Sequence, residues 1–274
     1  MSKILIVVAV VILAVACRTY RTPAIRRLGS VGILVASFLG AYFISGSIAI
    51  GVAGVLFWFL LPWFEILTRI REMRLPMERT LDDRMAPSSH LFPELDDLTE
   101  EAEEAGFEQL SDCGWNWDET DQFVRFLWWE EDRTQAAFFF TEQEGINFYH
   151  TALVTRTIDG RHLLTWDYPF SYTLQLPDGM EINRIEPGEG PGSFARLVEA
   201  HTAVVETTGC PVEDRFQVSA DDLGRLMRED MRRQIEHNLD TGIIKSAGEG
   251  TVRYTTKGYF FLWFQIVRDM VRLG

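Results

Sequence analysis

The chain has 274 residues, a mean hydropathy of −0.01 and a formal net charge of −14 at pH 7. Five basic residues and one acid precede Arg69, which leaves 21 bases against 39 acids from there to the end, so the acidity lies outside the apolar first quarter. So acidic a remainder is repelled by nucleic acid, which argues against DNA or RNA as a partner; its plainest use is solubility.

Residues 4–16, ILIVVAVVILAVA, carry no polar side chain. Thirteen such residues make a short membrane span or the core of a signal sequence. The run ends in Ala14-Val15-Ala16-Cys17, which is similar to a lipoprotein cleavage site and keeps the second option open beside a retained helix. Residues 31–67 then hold no charge before Glu65. As one straight helix they would reach ~55 Å, at ~1.5 Å per residue, against a hydrocarbon core of ~30 Å. The small residues Ser45-Gly46-Ser47 suit a hairpin tip, so the pattern predicts spans at about 4–17, 30–45 and 48–67.

Two arginine clusters flank that hairpin: Arg18, Arg21, Arg26 and Arg27 before it, then Arg69, Arg71, Arg74 and Arg79 after it. A hairpin brings both to the same side. The positive-inside bias makes that side cytoplasmic, as in a bacterial inner membrane. Trp58 and Trp63 near the end of the last span, with Arg69, Arg71 and Arg74 beyond it, are expected at the membrane interface.

Residues 69–92 read as a juxtamembrane linker broken by Pro76, Pro87 and Pro93, and 93–274 as an acidic α+β domain. A helix is expected at 93–105, with Leu95, Leu98, Ala102 and Ala105 on one face. Strands follow near 107–113, 122–130, 134–141, 146–157, 161–168 and 180–185. Asp159-Gly160 and Pro177-Asp178-Gly179 supply the turns of an antiparallel meander. Strands QFVRFLWWE and TQAAFFFT are apolar on both faces, which calls for helices on both faces of the sheet. Helices at 193–208 and 220–240 are available, the second with a stripe of Leu223, Met227, Met231, Ile235 and Leu239. A short hairpin then feeds a last amphipathic helix, 258–273. Its aromatic run 259–264 either docks in the α+β core or returns to the membrane, with Trp263 at headgroup depth and Arg268 and Arg272 toward phosphates.

Few residues suggest chemistry. His150 and His162 are tempting metal ligands, but a two-residue turn at Asp159-Gly160 would separate them by ~23 Å at ~3.3 Å per residue. The same turn makes His150 a diagonal neighbour of Asp167 on one face, which is half of an acid–base site or a structural histidine among core residues. Trp115-Asn116-Trp117 is placed to stack a ligand or to pack at a strand end. The glycines of 188–192 precede a helix, yet the segment lacks a P-loop lysine and carries Glu189. Three cysteines, Cys17, Cys113 and Cys210, do not form a disulfide framework. No cofactor or metal pattern emerges. The expectation is a membrane-anchored cytoplasmic scaffold or accessory subunit whose partners are the lipid bilayer and a protein or second copy of itself. The alternative is a membrane-bound enzyme with a site at His150, Asp167 and the Trp115–Trp117 loop. Topology is directly testable: green fluorescent protein fused after Gly274 should fluoresce and alkaline phosphatase fused there should be inactive, whereas an active phosphatase places that end outside.

Overall fold

The computed structural model describes residues 2–20, 23–143, 145–188, 190 and 192–272. The order is α1 (Ser2–Arg18), α2 (Pro23–Ser45), α3 (Ile48–Glu65) running on as a π-turn (Ile66–Ile70), β1 (Leu75–Pro76), β2 (Asp82–Asp83), α4 (Glu94–Glu104), β3 (Glu108–Trp117) and β4 (Thr120–Trp129). After these come β5 (Thr134–Gln143), β6 (Ile146–Arg156), β7 (His162–Trp166), β8 (Met180–Arg184), α5 (Ser193–Thr208), α6 (Ala220–Asp240), β9 (Ile244–Gly248), β10 (Thr251–Tyr254) and α7 (Thr256–Arg272). The fold is mixed α+β, with seven helices and a seven-stranded sheet among the described residues. It divides into two compact units: Met1–Leu75 with Ser171–Leu174 and Thr241–Gly274, and Pro76–Phe170 with Gln175–Asp240.

In the first unit, two helices of the described residues are long and apolar enough to cross a membrane, Arg27–Ser45 and Ile48–Ile70. The three spans expected from the sequence are thus corrected to two. Helix α1 has 17 residues, about 25 Å at ~1.5 Å per residue, and falls short of the ~30 Å hydrocarbon core. It packs along α2 instead, where Ala14 is buried in a notch at Gly29 and Gly32; a Cβ on Gly32 would lie 2.7 Å from that of Ala14. The tip at Ser45-Gly46-Ser47 forms as the small residues suggest, with Gly46 in the left-handed region and its N–H donating to Tyr42 O. Below the tip, Gly51 and Gly54 of α3 close on α2. A Cβ on Gly54 would meet Ala41 Cβ at 2.9 Å and Ser37 O at 3.0 Å. Small residues at such a seam let two backbones approach, and the polar groups they expose bond across it. Trp58 Nε1 does this, donating to Ser37 Oγ at 2.8 Å.

The same unit holds the β9–β10 hairpin and α7. Ile243, Ile244, Val252, Tyr254 and Leu262 are buried in this part of the unit. Thr255 caps α7, its Oγ1 accepting from Gly258 N at 3.1 Å. The sequence places 258–273 with the soluble domain; here that segment falls with the N-terminal helices, and its helix begins two residues earlier.

The second unit is a sheet in the order β2-β3-β4-β5-β6-β7-β8. Strands β2 through β7 pair antiparallel, as the meander requires, but β8 runs parallel to β7, with His162 opposite Met180 and Trp166 opposite Arg184. The 13 residues between these strands are long enough for the chain to cross back, and parallel pairing needs about a dozen. Side chains alternate between two faces, and each face is covered. Leu95, Leu98 and Ala102 of α4 and Phe194 and Leu197 of α5 pack with Phe123, Leu127, Phe138, Phe140 and Leu153 on one side. On the other, Leu223, Met227 and Met231 of α6 pack with Val124, Phe126, Trp128 and Ala137. This is why β4 and β5 are apolar on both faces.

The glycine seam yields a paired test. Gly54→Val should lower the unfolding midpoint of the detergent-solubilised protein, with overpacking of about 1–3 kcal/mol. Gly40→Ala, whose Cβ would meet nothing within 4 Å, should leave it unchanged or slightly raised; equal effects would mean that the α2–α3 contact is not close.

Candidate functional site

Polar residues lie on both faces of the sheet, and two groups of them are tied into networks. On the α4–α5 side, Arg125 donates to both oxygens of its cross-strand partner Asp112, Nε to Oδ1 at 2.9 Å and a terminal nitrogen to Oδ2 at 2.7 Å. It also reaches Thr99 Oγ1 of α4 at 3.0 Å. Beside it runs a buried chain. Asp132 Oδ2 accepts from Thr134 Oγ1 at 2.8 Å, which lies 2.9 Å from Thr155 Oγ1. Thr155 meets His201 Nε2 at 2.9 Å, and His201 Nδ1 meets Thr165 Oγ1 at 3.0 Å. His201 comes from α5 and is almost fully enclosed. Burial lowers its imidazole to about 4, with Arg215 lowering it further against the opposing pull of Asp132. Neutral, it joins two threonines of β6 and β7 to the helix above them.

The α6 side has a matching element. Arg156 donates to Gln135 Oε1 at 2.6 Å and to Asp230 Oδ2 at 2.7 Å, while His162 Nδ1 stands 3.2 Å from Asp230 Oδ1. Burial raises the Asp230 carboxyl, but its contacts with His162 and Arg156 outweigh that and bring it below its ordinary value. Farther along this face Arg79 lies 5.1 Å over the Trp115 ring and 4.0 Å from Met231 Sδ. It is a largely buried guanidinium with no carboxylate partner among the described residues, and burial lowers its affinity for the proton.

His150 stands on this α6 face, stacked flat on Phe139 with ring centroids 4.5 Å apart and edged by Tyr168 at 4.8 Å. Its Nδ1 has no hydrogen-bond partner among the described residues. Burial holds its imidazole down at about 3. Asp167 does not join it. The β6–β7 register pairs Arg156 with His162 and Ala152 with Trp166, one residue away from that of a two-residue turn. Asp167 therefore falls opposite Thr151, whose N–H donates to its Oδ1 at 2.6 Å. The carboxyl is on the other face from His150, and burial raises its proton affinity. The expected diagonal pairing of His150 with Asp167 is corrected by this register.

The other sequence candidates are also placed. Trp115 is buried under Arg79, and Asn116 Oδ1 accepts from Arg84. Of the 188–192 loop, Glu189 and Pro191 lie outside the described residues. At its end Gly192 N and Phe194 N donate to the Glu101 carboxylate at 2.7 and 3.1 Å, so the start of α5 carries an anion from within the chain. No group of three or more His, Cys, Asp or Glu that could hold a metal occurs among the described residues. His201 and the Arg156–Asp230 pair are what sequence reasoning missed. Their signal was the polar alternation of Thr155 and Thr165 inside apolar strands.

Of the residues expected at a membrane surface, Trp58 uses its indole N–H within the α2–α3 seam. Trp63 packs edge-on with Phe260 at 5.0 Å and stacks with Trp263 at 6.3 Å. Trp263 Nε1 donates to Phe59 O of α3 at 2.7 Å. Arg69, Arg71 and Arg74 are exposed, Arg74 donating to Ala247 O at 3.0 Å. Arg268 lies 5.6 Å over the Tyr172 ring and 3.8 Å from Asp269. The Arg272 side chain lies outside the described residues. Comparison with known proteins finds no matching family model, no matching curated protein and no matching solved structure.

Two buried neutral imidazoles give a pH signature. A histidine in the unfolded chain takes up a proton near 6.5, whereas His150 and His201 resist it until about 3 and about 4. Their contribution to stability is complete above about pH 6.5 and is lost as pH falls below it, by up to about 1.4 kcal/mol per unit for each group. Denaturant unfolding between pH 7 and 5 should show this slope, and His150→Phe, which keeps the ring stack, should reduce it. An unchanged slope in the variant would mean that His150 is not held neutral.

Proposed function

We propose that the protein is a membrane-anchored scaffold or accessory subunit. On this reading α2 and α3 hold it in a cell membrane, of the inner-membrane type. The acidic α+β unit is presented on the cytoplasmic side to a protein partner or a second copy of the chain. The observation that carries it is the commitment of the sheet's chemistry-bearing side chains to internal contacts. His201 is bonded at both nitrogens, His150 is stacked on Phe139, and Arg125 and Arg156 are each engaged with a carboxylate. The exposed arginines Arg69, Arg71 and Arg74, following the second span, support the cytoplasmic orientation. An acid–base site at His150 and Asp167 draws no support from two groups on opposite faces of a covered sheet.

Extraction of the full-length protein from its membrane in polymer-bounded discs, followed by native mass spectrometry, tests the reading. The expected particle contains a stoichiometric second component, either another subunit or a second copy. A particle holding only one 31.4 kDa chain and lipid would overturn it.

A further inference from the structure

Helix α7 is built inside out. Gly258, Leu262, Gln265 and Asp269 recur at helical spacing along its buried side, and the last two are only 7 % and 5 % exposed. Gln265 Oε1 is buried without a hydrogen-bond partner among the described residues. Phe260 and Phe264 turn the other way, 57 % and 56 % exposed, with Val267 next on that side and Met270 also exposed. A water-facing helix has the reverse arrangement. Exposing two phenylalanines to water while burying a glutamine whose Oε1 has no partner among the described residues is unfavourable on both counts.

The location of α7 says what covers the phenylalanines. Trp263 ties it to α3 through the bond to Phe59 O, and Phe260 packs on Trp63 of the same helix. Pro62 of α3 has no N–H to give Trp58 O, one residue before the carbonyl that the indole binds. On α3 and the π-turn that continues it, the apolar side chains Phe57, Leu60, Phe64 and Leu67 are exposed as well. Phe59 lies six residues before Glu65, the first charge after the hairpin tip. At ~1.5 Å per residue that is ~9 Å to the apolar side of it. An interfacial helix sinks its apolar face about 5–10 Å into the boundary between headgroups and acyl chains.

We propose that α7 is a membrane-embedded interfacial helix, with Phe260 and Phe264 against lipid acyl chains and Gln265 and Asp269 turned into the protein. This rests on the anchoring by α2 and α3 in the reading above, and it adds a second attachment to the bilayer from the opposite end of the chain. The occupant is lipid because α7 packs, through Phe260 and Trp263, on a helix that the reading above places in the membrane.

A site-specific photoprobe separates the possibilities. In the full-length protein, p-benzoylphenylalanine replaces Phe264 in one sample and Leu60 of α3 in another. Both positions are exposed and aromatic or apolar, so the fold accommodates the probe. Each protein is reconstituted in phosphatidylcholine–phosphatidylglycerol vesicles and irradiated, and the tryptic peptides are weighed. The expected result is a phospholipid adduct at both sites, for Phe264 on the peptide Gly258–Arg268. Lipid adducts at Leu60 with only protein cross-links at 264, to a second copy or within the chain, overturn the proposal and leave the anchor standing. Lipid at neither site overturns the anchoring itself and α7's insertion with it.

Discussion

An N–H group taken out of water must find an acceptor inside the protein, and both units are organised around that constraint. In the helical unit, the Trp58 indole finds Ser37 Oγ across the hairpin and the Trp263 indole finds a main-chain carbonyl at Phe59. In the sheet unit, Arg125 and Arg156 find carboxylates, and the two His201 ring nitrogens have threonine partners. These contacts are directional, whereas the apolar packing around them is not. They set which residue of α3 faces α2, and which residues of β6 and β7 lie under α5. Helices on both faces of the sheet make the constraint strict in its middle, because residues 122–128 of β4 and 134–138 of β5 are all buried and cannot answer it by turning to solvent.

The sheet also shows how one residue of register decides chemistry. Because side chains alternate, a slip of one moves every group on a strand to the opposite face. Asp159-Gly160 does form a turn, with Gly160 in the left-handed region. The ladder nevertheless stops at Arg156–His162, leaving five residues between the strands. The residues before the turn are drawn elsewhere: Thr157 bridges to Arg215, Ile158 N donates to Asp214 O, and Phe216 N donates to Arg156 O. Those partners arrive from a segment more than fifty residues on, and no local pattern announces them. A tertiary contact therefore overrode a strong two-residue hairpin signal and separated His150 from Asp167.

Where the physics was local, the sequence was readable. The Ser45-Gly46-Ser47 tip, the α4 face of Leu95, Leu98 and Ala102, the α6 stripe and the strands from β3 to β7 lie where composition and periodicity put them, within a few residues at their ends. The doubly covered sheet was legible too, from the apolar faces of β4 and β5. What could not be read depended on length thresholds or on distant partners. Helix α1 is apolar throughout its centre yet about one turn short of a span. Strand β8 has the composition of a meander strand, but a long connection reverses its direction. The networks at His201 and Asp230 join residues from three or more elements, so their polar members looked isolated along the chain.

Helices α6 and α7 can be read against one another, since one chain folds both under one set of forces. Along α6 the apolar residues Leu223, Met227 and Met231 turn to the sheet, and the outer side carries Arg225, Glu229, Arg232 and Glu236 in i,i+4 pairs. Along α7 the aromatic residues Phe260 and Phe264 are outside and Gln265 and Asp269 within. Amphipathicity of opposite sense implies different surroundings, because a polar face lowers free energy in water and an apolar one in hydrocarbon. Intrinsic helix preference cannot produce the difference, since both helices form. On the placement proposed for α7, the aromatic run at 259–264 reports on its solvent more than on its fold, and the hydrogen bond from Trp263 to Phe59 O ties it to the helix proposed to span the membrane.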